Sequence, residues 1–221
     1  SCNAMGRYQN NSDFYKSRNI SIGYHPYCKE CVNEIIVDRM LTLLKIPHLE
    51  YELINADIEI DGRLYNSYLC ASKDFKAPGE SKVAIDDYYR TNSLPGESHY
   101  EFCVRNGFRE YIDTMLAVDF LILNRDRHGA NIEVLRNPRK HTVRIAPLFD
   151  HGLSLMYSCM NEKEAKSFDI MEDKRCQNFI GTDSCLKNLG LIKDKKNALK
   201  GRLRPSDKEY ILHNLDGIVS D

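Results

Sequence analysis

Residues 123–135 read LNRDRHGANIEVL, and the reading of this stretch decides the fold. Before it, Arg109 to Leu123 has a helical pattern, with Ile112, Leu116, Phe120 and Leu123 on one face and Met115, Val118 and Ile122 widening that face. After it, IEVL and TVRIAPLF are β-like runs separated by RNPRKH, an Asn-Pro turn. Asp126, Arg127, His128 and Asn131 therefore stand at the junction of an apolar helix and a buried hairpin. The hairpin geometry extends the cluster. Asn131 precedes the first strand and Asp150, in IAPLFDHG, follows the second. A hairpin's entry and exit share one end, so Asn131 and Asp150 meet across 19 positions, and Asp126, five residues before Asn131, arrives at the same end.

Working outward, Cys28 to Lys45 has helical periodicity, with Val32, Ile36, Met40 and Leu43/Leu44 on one stripe. Pro47 closes it, because proline cannot donate the backbone bond and restricts the residue before it. YELI, IEIDGRLY and NSYLCA then give strand-like runs flanking an Asp61-Gly62 turn signal, a hairpin pattern. The polar stretch 72–82, with Pro78 and Gly79, reads as a hinge. From Ile85 the character is helical, and Ser206 opens a last helix through a capping box with Glu209. There is no internal repeat. The pattern predicts an α+β fold.

Composition narrows the function. With 221 residues, 42% apolar and 29% charged, the chain can bury a core without disulfide or metal. A net charge of −1 gives no electrostatic argument for nucleic acid or an anionic membrane, and neither is expected as a partner. No apolar run reaches the roughly 18–20 residues of a membrane span, and no signal-peptide core is present, so the expected location is cytoplasmic. Eight cysteines in such a chain read as reduced thiols. Cys28-Lys-Glu-Cys31 lacks the second pair that a structural zinc site requires. Residues 1–4 of the opening SCNAM resemble an expression scar, although Cys2 does not fit one, and are set aside.

Two carboxylates and an amide oxygen beside a loop form a hard-oxygen site, which suits Mg²⁺ better than Zn²⁺. An Asp, four residues, an Asn, and a hairpin ending in Asp-x-Gly is also the order of phosphotransfer parts in protein kinases. Each residue alone has a plainer reading: Asp126 as a helix-terminal turn, Asn131 as a strand opener, Asp150 as a turn before His-Gly.

DRHGAN with APLFDHGLSL resembles the D-R-H-x-x-N and Asp-Gly signatures of phosphatidylinositol 3/4-kinase-like catalytic domains. Together with the preceding AVDFLILN it is similar to bacterial HipA-like serine/threonine kinases. The resemblance covers roughly residues 14–155. It implies a protein-kinase-like bilobal fold, with a small strand-rich N-lobe over 5–75 and a helical C-lobe over 76–221. It further implies ATP and Mg²⁺, and transfer to Ser or Thr hydroxyls of a protein substrate, the enzyme itself included. By this resemblance Asp126 orients the acceptor, Asn131 and Asp150 hold metal, and Lys16 of DFYKS positions phosphates while paired with Glu34. Glu30, one turn earlier, is the rival carboxylate. Glu34 lies off the Val32–Ile36–Met40 stripe, as a cleft-facing residue would. His128 is either a phosphate contact or a structural hydrogen bond, and Arg127 is expected to pair with a carboxylate such as Asp119. GRYQNNSDFY, before Lys16, leaves little room for the phosphate-covering hairpin of kinases, so the N-lobe is truncated. That departure motivates one alternative, a kinase-fold binding module with weak or no catalysis; a further alternative keeps the enzyme but changes the acceptor to a lipid or small-molecule hydroxyl.

Overall fold

A computed structural model of the chain describes residues 29–60, 62–195 and 197–215. Lys16, Cys28 and residues 1–4 lie outside the described residues.

Helix α1 (Lys29–Leu44) ends where Lys45 turns left-handed at φ 56°. Lys45 N–H bonds the Thr42 carbonyl at 3.1 Å and Ile46 N–H the Leu41 carbonyl at 3.0 Å, the Schellman pattern that satisfies the last carbonyls of a helix. Its buried face differs from the expected stripe. Glu34, Val37, Leu41 and Leu44 are buried, whereas Ile36, Met40 and Leu43 are half-buried. The expectation that Glu34 lies off the buried face is therefore corrected. It continues the i, i+3, i+7 row of Val37 and Leu41, a position helical geometry gives to the core.

Strands β1 (Tyr51–Ile60) and β2 (Arg63–Ser72) form one antiparallel ladder, from Tyr51↔Ser72 to Ile60↔Arg63. At the turn Gly62 has φ 76°, which glycine adopts without steric cost. Along the ladder, Asn55 and Asn66 exchange amide hydrogen bonds at 2.9 Å.

β3 (Ser81–Ala84) leads into α2 (Ile85–Asn92), α3 (His99–Arg105) and α4 (Arg109–Leu121). Ser98 caps α3 with Glu101 as the reciprocal partner. After α4 come β4 (Asp126–Arg127), β5 (Glu133–Asn137) and β6 (Thr142–Ile145), the last two forming the predicted hairpin. β3 adds to β5, giving the antiparallel order β3-β5-β6. Further on are α5 (Glu162–Ser167), β7 (Gln177–Asn178), α6 (Cys185–Leu189) and α7 (Lys208–Leu212). β7 runs parallel to β4. The Ser206–Glu209 capping box does not form. Pro205 starts a 3₁₀ turn one residue early, and Asp207 instead takes the Arg204 N–H at 2.7 Å.

The main core joins Val37, Leu41 and Leu44 of α1 to Ile112, Met115 and Leu116 of α4, with Phe102, Ile132 and Leu148. Each such side chain contributes about 1.5–3 kcal/mol of burial. A second cluster of Leu49, Leu135, Ala146 and Phe149 holds Tyr51 and Phe75 against it, which seats the β1–β2 hairpin beside the β3-β5-β6 sheet. Leu49 N–H bonds the Leu148 carbonyl at 2.7 Å, tying the chain after α1 to the segment leading into Asp150. No helix among the described residues is long and apolar enough to cross a membrane.

Candidate active site

The site is hung on α4. Beyond its end, Leu123 turns left-handed at φ 56° and Asn124 N–H returns to the Asp119 carbonyl at 2.8 Å. Asn124 then donates its side-chain amide to Asp119 Oδ1 at 2.9 Å and accepts the Asp126 N–H at 3.2 Å. The chain is thereby turned so that Asp126 comes to the surface while Arg127 goes inside.

Arg127 is the hub. Its guanidinium is 1% exposed and spans both oxygens of Asp119, with Nε at 3.0 Å from Oδ2 and Nη2 at 2.9 Å from Oδ1. Nη1 donates to the Asn131 carbonyl at 3.1 Å and to the Phe149 carbonyl at 2.7 Å. One buried cation thus fastens the entry of the β5–β6 hairpin to its exit, with α4 as the mount. The planar fork suits this, since it offers several donors in fixed directions. The expected Arg127–Asp119 pair is present.

Asp126 keeps 30% of its side chain exposed, and His128 Nε2 lies 3.8 Å from its Oδ1. His128 also caps the following 3₁₀ turn, its Nδ1 accepting from Ala130 N–H at 3.2 Å. Asn131 is buried and donates its amide to the Asp126 carbonyl at 2.8 Å, which turns the amide oxygen away from that carbonyl. The loop leaves no room at Gly129, where a Cβ would stand 2.6 Å from Asp86 Cβ.

Asp150 sits in the left-handed region at φ 60°, a conformation that aspartate tolerates better than most residues. Its N–H points to the Tyr51 hydroxyl at 3.4 Å. Burial, then the charge of Glu34, raises its carboxyl above the usual range, and the charge of Asp126 adds to this. Asp126 and Asp150 therefore share one electrostatic neighbourhood, with the Arg127 cation opposing the rise at Asp150.

Glu34 packs against the turn after Asp150. Its Oε1 accepts the His151 N–H at 2.7 Å and the Gly152 N–H at 2.9 Å. Asn33 beside it donates to the carbonyls of Gly152 and Ser154, both at 2.9 Å. Burial pushes the Glu34 carboxyl up to about 7, although the two backbone bonds hold it down. Its Oε2 is buried and has no hydrogen-bond partner among the described residues. Glu30 is placed differently: it accepts from the Tyr157 hydroxyl at 3.2 Å, and its methylene lies against Gly152.

Asp126, Asn131, Asp150 and Glu34 thus converge through the Arg127 hub and the α1 brace, with His128 at the rim. Lys16 lies outside the described residues. Several residues escape the sequence reading: Asn33 and Asn124 hold the machinery by two side-chain hydrogen bonds each and Tyr51 by one, and β7 pairs with Asp126 and Arg127. Two polar residues have no periodicity to betray such a strand. Among the described residues, no three His, Cys, Asp or Glu side chains form a metal cage.

The chain matches no protein-family profile and no curated protein sequence. It is similar to the crystal structure of a Helicobacter pylori proinflammatory kinase, CtkA, with a TM-score of 0.52 and 18% identity. The match covers 76% of this chain and 64% of that one. At that identity the likeness shows the fold: a mixed α/β arrangement of kinase-like type.

Proposed function

We propose that the chain is an ATP- and Mg²⁺-dependent phosphotransferase of HipA-like type that acts on Ser or Thr hydroxyls of proteins, itself included. The observation that carries this reading is the Arg127 clasp, which binds the Asn131 and Phe149 carbonyls together and so gathers Asp126, Asn131 and Asp150 at one end of a hairpin. The kinase-like fold supports it.

In this reading the chain divides near residue 75 into a strand-rich lobe and a helical lobe, with the nucleotide between them. Asp126 is the exposed carboxylate, placed to orient an acceptor hydroxyl and take its proton. Asn131 and Asp150 would hold Mg²⁺, and the donor set fits: an amide oxygen turned away from its neighbour and a carboxylate crowded by other negative charges. Mg²⁺ binds through few protein oxygens together with substrate phosphates, and when bound it supplies charge neutralisation on those phosphates. Glu34 would hold Lys16 over the phosphates through its buried Oε2, which makes no hydrogen bond among the described residues and has His151 Nδ1 3.5 Å away. His128 stays beside Asp126, limiting the directions its carboxylate can take. Positioning and fixed charge would supply most of the rate.

The test uses γ-labelled ATP with Mg²⁺. Asp126→Asn and Asp150→Asn should each abolish transfer of label to protein while keeping the wild-type circular dichroism spectrum. Label on protein in both variants overturns the assignment. Nucleotide binding by calorimetry with no label transferred to any protein by the wild type would instead indicate a binding module, or an acceptor that is not a protein.

A further inference from the structure

The strand beside Asp126 begins at a pair of thiols. Lys174 to Cys185 forms a small closed loop in which Arg175 and Ser184 are antiparallel bridge partners. Cys176 N–H bonds the Asp183 carbonyl and Cys185 N–H the Lys174 carbonyl, both at 3.0 Å. This register sets Cys176 and Cys185 as diagonal neighbours on one face of the pair. Both cysteines are free thiols, and each is the first influence on the other's electrostatics. Cys176 is pinned further by the Asn188 amide, 3.3 Å from its sulfur, and by the Thr182 carbonyl at 3.7 Å. Cys185 is buried and Cys176 half-buried, so the pair lies just beneath the surface.

We propose that Cys176 and Cys185 are a modification site, forming a reversible intramolecular disulfide with a peroxide-class oxidant, and that this bond clamps the strand paired with Asp126 and Arg127. The Cys185 thiolate attacks one peroxide oxygen; the O–O bond breaks, leaving a sulfenic acid on Cys185 and a hydroxide that leaves as water after taking a proton. The Cys176 sulfur then attacks the sulfenic sulfur. The S–S bond forms, the S–O bond breaks, and a second water leaves with the Cys176 proton. Overall, two thiols are oxidised and one peroxide is reduced to two waters. The pairing suits this order, because Cys176 beside it holds the Cys185 thiol below its ordinary range. By contrast, burial pushes the Cys103 thiol up to about 12, which keeps it inert.

The clamp follows from what lies between the cysteines. Gln177 N–H bonds the Arg125 carbonyl at 2.8 Å and Phe179 N–H the Arg127 carbonyl at 2.9 Å. Phe179 stacks on the His99 ring, with centroids 4.1 Å apart. A bond from Cys176 to Cys185 closes a ring around both donors and restricts the openings in which they let go.

Both cysteines fall in one tryptic peptide, Cys176–Lys187. After hydrogen peroxide this peptide should resist iodoacetamide and be two hydrogens lighter than its reduced form, and dithiothreitol should reverse both changes. In the oxidised protein, amide exchange at Gln177 and Phe179 should slow by up to roughly a hundredfold, the scale expected when a loop of about ten residues is closed. In Cys176→Ser, dimedone should trap a sulfenic acid at Cys185. Full alkylation of both cysteines after peroxide, or linkage of either to another cysteine, overturns the site. A disulfide with unchanged exchange at Gln177 and Phe179 overturns the clamp. No nucleotide enters these measurements, so their outcome is separate from that of the phosphotransfer assay.

Discussion

Replacing Arg127 by methionine keeps most of the side chain's volume and removes its charge and donors. The variant strands three groups at once: the Asp119 carboxylate, 6% exposed in its side chain, and the Asn131 and Phe149 carbonyls. Breaking one side of a buried ion pair costs about 3–5 kcal/mol. Asp119 keeps its bond from Asn124 at 2.9 Å, which softens that term. The two orphaned carbonyls each cost about 1–3 kcal/mol unless water reaches them. With the pair term softened to about 2–3 kcal/mol and each carbonyl at about 1 kcal/mol, the expected loss is about 4–5 kcal/mol, most of the stability of a marginally stable domain. The double variant Asp119→Leu, Arg127→Met removes the stranded charge but not the stranded carbonyls, and should recover about 2 kcal/mol of that loss. Equilibrium urea unfolding of the wild type and both variants, with m compared to check that the same surface is exposed, measures this. A loss below about 1 kcal/mol for Arg127→Met, or a double variant no more stable than the single one, would refute the clasp as the element that holds the hairpin ends together.

Glu34 and His151 make opposing contributions to pH dependence, measured best in metal-free buffer. The Glu34 carboxyl is raised to about 7, so its contribution is complete below the unfolded value and is lost, by about 3 kcal/mol, as pH rises through 7. Burial and the Arg127 charge push His151 down to about 3, so its contribution grows, by about 5 kcal/mol, as pH rises from 3 to 6.5. Between pH 4.5 and 6.5 the two nearly cancel, so Glu34→Gln should leave stability rising with pH by about 3 kcal/mol and His151→Leu should leave it falling by a similar amount; denaturant midpoints across that window read both. Gly129→Ala places a Cβ 2.6 Å from Asp86 Cβ and should cost about 1–3 kcal/mol, seen as a lower Tm. Ser98→Ala removes the α3 cap and should cost about 1 kcal/mol in the same assay.

Elements with strong periodicity or turn chemistry were legible from the residues. α4, the β5–β6 hairpin and the tight turn at Gly62 fall where the pattern puts them. The convergence of Asp126, Asn131 and Asp150 was legible for a topological reason, since a hairpin leaves little choice about where its ends go. The face of α1 was misread because apolar stripes are traced through Val, Ile and Met, whereas here a carboxylate occupies a core position. Burying Glu34 is tolerable because two backbone N–H groups from a segment more than a hundred residues away meet it, and no local pattern announces them. The last helix misled through Ser206: proline at 205 fixed φ one residue early and shifted the cap.

The parallel pairing of Asp126–Arg127 with Gln177–Asn178 also bears on how the molecule is made. Gln177 follows Asp126 by 51 positions, which at the ribosome is roughly 3–10 s of synthesis. For that interval the carbonyls of Arg125 and Arg127 have only water as partner, while α4 and the hairpin are already complete in sequence. The loop that bears the polar cluster is thus completed well after the helix and hairpin that mount it. A nascent chain halted before Gln177 should expose that loop to protease, and one extended past Phe179 and clear of the ribosome should protect it.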